Sequence, residues 1–294
     1  MGEYVISCCS TADLTKEHFV KRDISYICFH YELDGKHYRD DLGESMSFEE
    51  FYRAMANGAD TKTSQVNVGE FEEYFEPFLQ QGKDILHVCL SSGISGVLNS
   101  ANIAAEVLRE RYPERKIYVV DSLGASVGYG LLMDRMADLR DAGMGIDELY
   151  EWTNANKLKV QSWFFTSDLT FFIRGGRVTK TAGFIGGILN ICPLLNIDRQ
   201  GKLIPRFKIR TKKKVIEKIV DQMEQYAQDG TDYSGKCYLV QSACREDAEA
   251  VLQLVKERFP KLGEVLINNI GTTIGAHTGP GTVGLFFWGE ERTE

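Results

Sequence analysis

Apolar residues follow two rhythms along the chain. Short apolar or β-branched runs, the length of strands, alternate with stretches in which apolar positions recur every three to four residues, the period of a helix. EYVISCC (3–9) opens as a strand and SYICFHYEL (25–33) reads as a second. FEEFYRAM (48–55) follows Ser47, with Glu50 three positions on, the pattern of a reciprocal helix cap. VGEFEEYFEPFL (68–79) has helical spacing that Pro77 is expected to end or kink. DILHVCL (84–90) is nearly all apolar, as a strand covered on both faces should be. An amphipathic helix (96–112), a strand (116–120) and another helix (125–143) follow. Strands separated by crossover helices predict a parallel, doubly covered sheet.

After Gly145 the pattern changes. A helix (146–157) and the strand VQSWFFTS (160–167) precede two stretches rich in glycine and basic residues, IRGGRVTK (173–180) and GFIGGILN (183–190). ICPLLNID and GKLIPRFKIR read as strands around a turn at Arg199, Gln200 and Gly201. Helices at 212–228 and 245–259 alternate with strands at 236–242, 264–271 and 281–288. The fold class is α/β in two parts, with a boundary near Thr166: a parallel-sheet domain over 1–166 and a second α/β domain over 167–294.

Composition narrows the functions. Against 34 Lys and Arg stand 42 Asp and Glu, a net charge of −8, which argues against wrapping nucleic acid or coating an anionic membrane. With 43% hydrophobic residues the chain can build a full core without staples. The seven cysteines are odd in number and mostly sit in apolar strand runs, so reduced thiols and a cytoplasmic protein are expected. No C-x-x-C or H-E-x-x-H occurs and no metal site is expected. Glu3, Asp13 and Lys16 leave no apolar signal-peptide core. The longest uncharged stretch, between Lys180 and Asp198, is interrupted by Asn190, Pro193 and Asn196, so membrane insertion is not expected.

Ligands of open α/β sheets bind beyond the carboxyl ends of strands. After DILHVCL comes Ser91-Ser92-Gly93-Ile94-Ser95-Gly96 and then a helix, which makes either an anion cradle of hydroxyls and amides or a plain helix cap. Thr63 and Ser64 fall in a polar segment between helical stretches and by themselves read as a loop that caps a helix. His277, in Gly275-Ala276-His277-Thr278-Gly279-Pro280-Gly281, presents its ring to an anion or decorates a turn. A serine-dependent acyl hydrolase would use Ser92 or Ser95 with His277, but Gly93-Ile94-Ser95-Gly96 lacks the spacing of a nucleophile elbow. A phosphosugar or nucleotide module would use the same cradle, although no Walker-type loop exists and Gly124, Gly128 and Gly130 miss the dinucleotide spacing. In PRFKIRTKKK, Arg206, Lys208 and Arg210 at period two would share one strand face, with Phe207 and Ile209 on the other.

Taken in order, STADL, KTSQ (62–65), SSGISG followed by NSA, DSLGAS, L-x-F-x-I-R-G-G-R-V (169–178), I-D-x-x-G-K-L-I-P (197–205), K-x-R-T-K-K-K (208–214) and H-T-G-P-G-T-V-G (277–284) resemble the DegV family of bacterial fatty-acid-binding proteins over essentially the whole chain. The resemblance implies a two-domain protein that grips one long-chain fatty acid, carboxylate at the interdomain cleft and tail buried. Thr63 and Ser92 would bond the carboxylate, with amides of the serine loop helping. Ser64, Gly93 and Ser95 would complete the ligand site, and His277 would sit close by. It implies no catalysis and no cofactor, but a separate fatty acid kinase that converts the presented carboxylate to an acyl phosphate for phospholipid synthesis. Arg210 would occupy the position linked to kinase docking, in a patch with Arg174, Arg177, Arg206 and Lys208. Two positions depart from the family pattern: Val66 stands where relatives often have Pro, and Gly93 where Lys or Arg is usual. GFIGGILNICPLL (183–195) and SWFF (162–165) are the candidate tail lining.

Overall fold

The computed structural model describes residues 3–178 and 191–293. β1 (Tyr4–Cys9) leads through a 3-10 turn to α1 (Lys16–Lys21), and β2 (Ser25–Ile27) runs parallel to β1. The stretch 25–33, expected as one strand, is two. The Ser10 hydroxyl takes the Phe29 N–H and the Asp40 N–H takes the Phe29 carbonyl, so the ladder cannot continue. β3 (His30–Leu33) leaves for a small antiparallel sheet, flanked by β4 (Lys36–Arg39) and β5 (Thr61–Ser64). β5 carries Thr63 and Ser64, which the sequence placed in a loop. Its threonines are β-branched but polar, so the strand shows no apolar alternation. α2 (Phe48–Ala56) starts on the expected Ser47–Glu50 cap.

α3 (Val68–Gln80), capped by Asn67 and Glu70, runs through Pro77 rather than ending there. Glu73 and Pro77 lie on the exposed face, where the carbonyl freed by the missing N–H meets water. β6 (Asp84–Cys89), α4 (Val97–Arg111) and β7 (Ile117–Asp121) complete a parallel sheet of order β2-β1-β6-β7. α5 (Val127–Asp141) is buried almost all round because it packs on β1 and also on the second large sheet. Gly128 permits this approach: a Cβ there would lie 2.8 Å from the Phe286 ring. α6 (Ile146–Asn156) packs beside α5.

The second sheet is mixed. β8 (Val160–Thr166), β9 (Ile191–Ile197), β10 (Leu203–Arg210), β11 (Cys237–Gln241), β12 (Val265–Asn269) and β13 (Thr282–Trp288) take the order β10-β9-β8-β13-β11-β12, with only β11 and β12 parallel. Because β8 pairs with β13 and β9, the change of sheet falls before Val160 and not after Thr166. α7 (Thr170–Arg174) follows β8, and α8 (Lys212–Tyr226) and α9 (Arg245–Arg258) cover the outer face. Trp163, Phe165, Leu194, Leu285 and Phe287 point into that layer, whereas Phe164, Leu195, Val240 and Phe286 join the core shared with the N-terminal half. The segment read as a turn between the last two strands is a helix, α10 (Thr272–Thr278). In β10 a register shift between Pro205 and Phe207 breaks the expected basic row: Arg206 Nε donates to Asn196 Oδ1 at 2.8 Å, and only Lys208 and Arg210 stay exposed.

Candidate functional site

One face of α10, with the residue Ile270 before it, looks into a cavity of about 770 Å³, its mouth included. Phe164, Ile197, Val240 and Phe286 of the six-stranded sheet form one wall, and Phe29, Leu90 and Ile94 of the N-terminal half form the other. The lining is mostly apolar with a few polar groups, the composition of a small-molecule site. Of SWFF, only Phe164 lines it; Trp163 and Phe165 point into the outer core. Of the candidate lining stretch 183–195, residues 183–190 lie outside the described residues, and none of 191–195 lines the cavity.

The polar groups come from separate segments. Thr63 faces inward from β5, Ser95 follows β6, and His277 sits near the end of α10. His277 Nε2 and Thr63 Oγ1 are 2.8 Å apart. The other ring nitrogen, Nδ1, is buried and has no hydrogen-bond partner among the described residues. Burial first, then the charges of Arg177 and Arg174, hold the His277 pKa down at about 4, so the ring is neutral at pH 7. With no acceptor at Nδ1, the proton is assigned to Nε2, which donates to Thr63 Oγ1 and leaves the threonine O–H to donate into the cavity. Gly175 makes room for the ring: a Cβ there would fall 2.3 Å from Nδ1.

The serine loop does not form the expected amide cradle. The N–H groups of Ile94 and Ser95 donate to the Ser91 carbonyl, that of Gly93 to Ser91 Oγ, and that of Ser92 to Asp121 Oδ1. Ser92 is exposed and outside the cavity, as is Ser64 on the outer face of β5. The hydroxyl that lines the cavity is that of Ser95, which also accepts from the Val97 N–H at 3.3 Å. Gly93 instead meets the β9–β10 turn, where a Cβ would lie 2.6 Å from the Gly201 carbonyl oxygen, and Ser91 Oγ donates to that same oxygen. A Lys or Arg at 93 has no room while this turn is seated. Val66 is fully buried in the core.

Sequence reasoning undervalued Arg177, which lines the cavity while its Nε donates to the Ile94 carbonyl at 3.3 Å. It missed Thr278, buried in the wall with an unpartnered Oγ1. The spacing of Thr273, Ile274, His277 and Thr278 is helical and was the available signal. Arg174 lies over the Phe171 ring at 5.2 Å and donates to Thr61 Oγ1 at 3.3 Å. Among the described residues no His, Cys, Asp and Glu cluster could hold a metal, and no helix is long and apolar enough to cross a membrane.

Comparison with known proteins fits this geometry. The DegV family model, whose description reads "Uncharacterised protein, DegV family", matches residues 6–290. A DegV domain-containing protein of Clostridium perfringens is 35% identical over 292 residues, 99% of each chain. The structure of a fatty-acid-binding DegV family protein from Thermus thermophilus superposes with a TM-score of 0.87 at 25% identity, covering 98% of this chain and 100% of that one. The Fatty Acid Kinase (Fak) B3 protein of Streptococcus pneumoniae, loaded with linoleic acid, shares the fold at a TM-score of 0.83 and 21% identity, over 98% of this chain and 100% of that one. With the family model spanning nearly the whole sequence and a relative at this identity over its full length, the chain belongs to the DegV family.

Proposed function

We propose that this protein binds one long-chain fatty acid and presents its carboxylate to a separate fatty acid kinase, without catalysing a reaction itself. The observation that carries the reading is a mostly apolar cavity whose polar groups include Thr63, Ser95 and His277. The Thr63 hydroxyl, oriented by His277, and the Ser95 hydroxyl donate to the carboxylate, and Arg177 adds positive potential. Hydroxyl donors hold an anion while leaving an oxygen open to an incoming phosphoryl group. The tail adds about 0.8 kcal/mol per buried CH₂. Fatty-acid binding by the Thermus thermophilus relative supports the ligand class. Presentation to a kinase rests on the motif resemblance, with Lys208 and Arg210 on β10 as the docking charges and Arg174 at the end of α7.

A hydrolase reading gains nothing from the geometry. His277 Nε2 is engaged by Thr63 rather than by a serine, and Nδ1 has no carboxylate to orient it. The direct test is to denature the purified protein and analyse the extract by mass spectrometry. A co-purified fatty acid supports the carrier; a phosphorylated metabolite in its place would overturn it.

A further inference from the structure

Two buried carboxyls sit at the other end of α10. Asp13 Oδ2 accepts from the Ser126 hydroxyl, and its Oδ1 accepts from the Gly271 N–H at 3.0 Å. Asp40 accepts from Ser10 Oγ at 3.2 Å, Thr272 Oγ1 at 2.8 Å and the Thr273 N–H at 3.4 Å. The two converge on one point: a Cβ built on Gly271 would lie 2.5 Å from Asp13 Oδ1 and 3.6 Å from Asp40 Oδ1. Every one of these donors is neutral. Among the described residues neither carboxyl has an ion-pair partner, although Asp13 is 5% and Asp40 1% exposed. Two buried like charges without a cation are expensive, and a proton held on either carboxyl removes one of them. The donors come from the turn after β1, the start of α5 and the first turn of α10, so the pair ties three segments together. Ser126 and Thr273 also line the cavity.

We propose that Asp13 and Asp40 form a proton-holding carboxyl pair that pins the first turn of α10 and thereby positions His277, one helical turn beyond Thr273, in the head-group site. They are positioning residues and touch no ligand. The inference rests on the fatty-acid reading for its binding readout. Burial raises the pKa of both carboxyls above the ordinary range, and their mutual repulsion adds to this for Asp13. The ionisable groups around them are Tyr52 of α2, Tyr129 of α5, Tyr31 of β3 and Cys28, all of which burial keeps neutral, with Arg39 and Asp41 flanking Asp40 in the chain. As pH rises through the raised range the proton is lost, the two charges repel, and the start of α10 loosens. His277, neutral above about pH 4, does not titrate in that window.

The test compares wild type with Asp13→Asn and Asp40→Asn. Infrared spectra of ligand-free wild type should keep a protonated-carboxyl C=O band at a pH above the ordinary carboxylate range, and that band should weaken in either variant. Bound fatty acid should leave wild type several-fold faster above the pH at which that band is lost than below it, and less than about twofold faster in the variants. Absence of the band from wild type overturns the proposal without need of a folded variant. Equal pH ratios in wild type and variants overturn it too, because a merely structural carboxyl would weaken binding equally at both pH values. Failure to bind any fatty acid would sink the proposed function, while the band would still decide the state of the pair.

Discussion

The parallel sheet and the six-stranded sheet draw on similar strands and are finished differently. In the parallel sheet β6 is buried from Ile85 to Cys89, and helices α3, α4, α5 and α6 pack against its strands. The six-stranded sheet has its outer face closed by α8 and α9, over Phe165, Leu194, Leu285 and Phe287. Its inner face is only partly covered by α5, and what α5 leaves open is the cavity wall of Phe164, Ile197, Val240 and Phe286. One alternating pattern therefore builds stability on one side of a strand and a binding surface on the other. The closed face should govern folding, the open face and its polar groups should govern the ligand.

Substitutions on the two faces of neighbouring strands break this comparison most strongly. Leu285→Ala, fully buried on the closed face, should cost about 2–5 kcal/mol in urea unfolding. Val240→Ala, which already borders open space, should cost less than about 2 kcal/mol and change fatty-acid affinity instead. At the polar groups, Thr63→Ala and Ser95→Ala should each weaken acid binding by about 1–3 kcal/mol, and Thr63→Ala should also lower the urea midpoint because it leaves the buried His277 Nε2 without its partner.

The buried imidazole gives a pH signature. His277 has an unfolded pKa near 6.5 and a folded one of about 4, so the unfolded chain binds more protons between those values. Its contribution is fully present above pH 6.5 and is lost as pH falls through 4, and thermal melts of His277→Gln should lack that part of the slope. Arg210→Ala should slow acyl-phosphate formation by the kinase in a salt-dependent way and leave acid binding intact. The smallest effect belongs to Ser92→Ala, within about 0.5 kcal/mol for both stability and binding, because the side chain is exposed and outside the cavity.

Local signals carried most of the fold. The Ser47–Glu50 cap, the apolar run at 84–90 and the helices flanking it were legible because each is decided within a few residues. The misreadings share a cause, which is tertiary demand on a weak local pattern. Ser10 and Asp40 split the 25–33 stretch from outside it. β8 reads as a strand, but its partners decide its sheet. α10 spans seven residues, of which all but Ile274 are polar or small, and Gly-Pro-Gly follows it, so its helical spacing was masked. That Thr63, Ser95 and His277 meet was reachable only through the family motifs, because their meeting point lies between three distant segments. The choice of Ser95 over Ser92 depends on which loop amides Ser91 and Asp121 occupy, and no spacing rule encodes that.

The central claim is that this cavity recognises a carboxylate as well as an alkyl tail. Equilibrium binding of a long-chain fatty acid measured beside its methyl ester tests this most directly, because the ester keeps the tail and removes the charge. Tight binding of the acid, with the ester weaker by the roughly 1–3 kcal/mol of each lost charge-assisted bond, is the predicted result. Equal affinity for acid and ester, or no affinity for either, would contradict it.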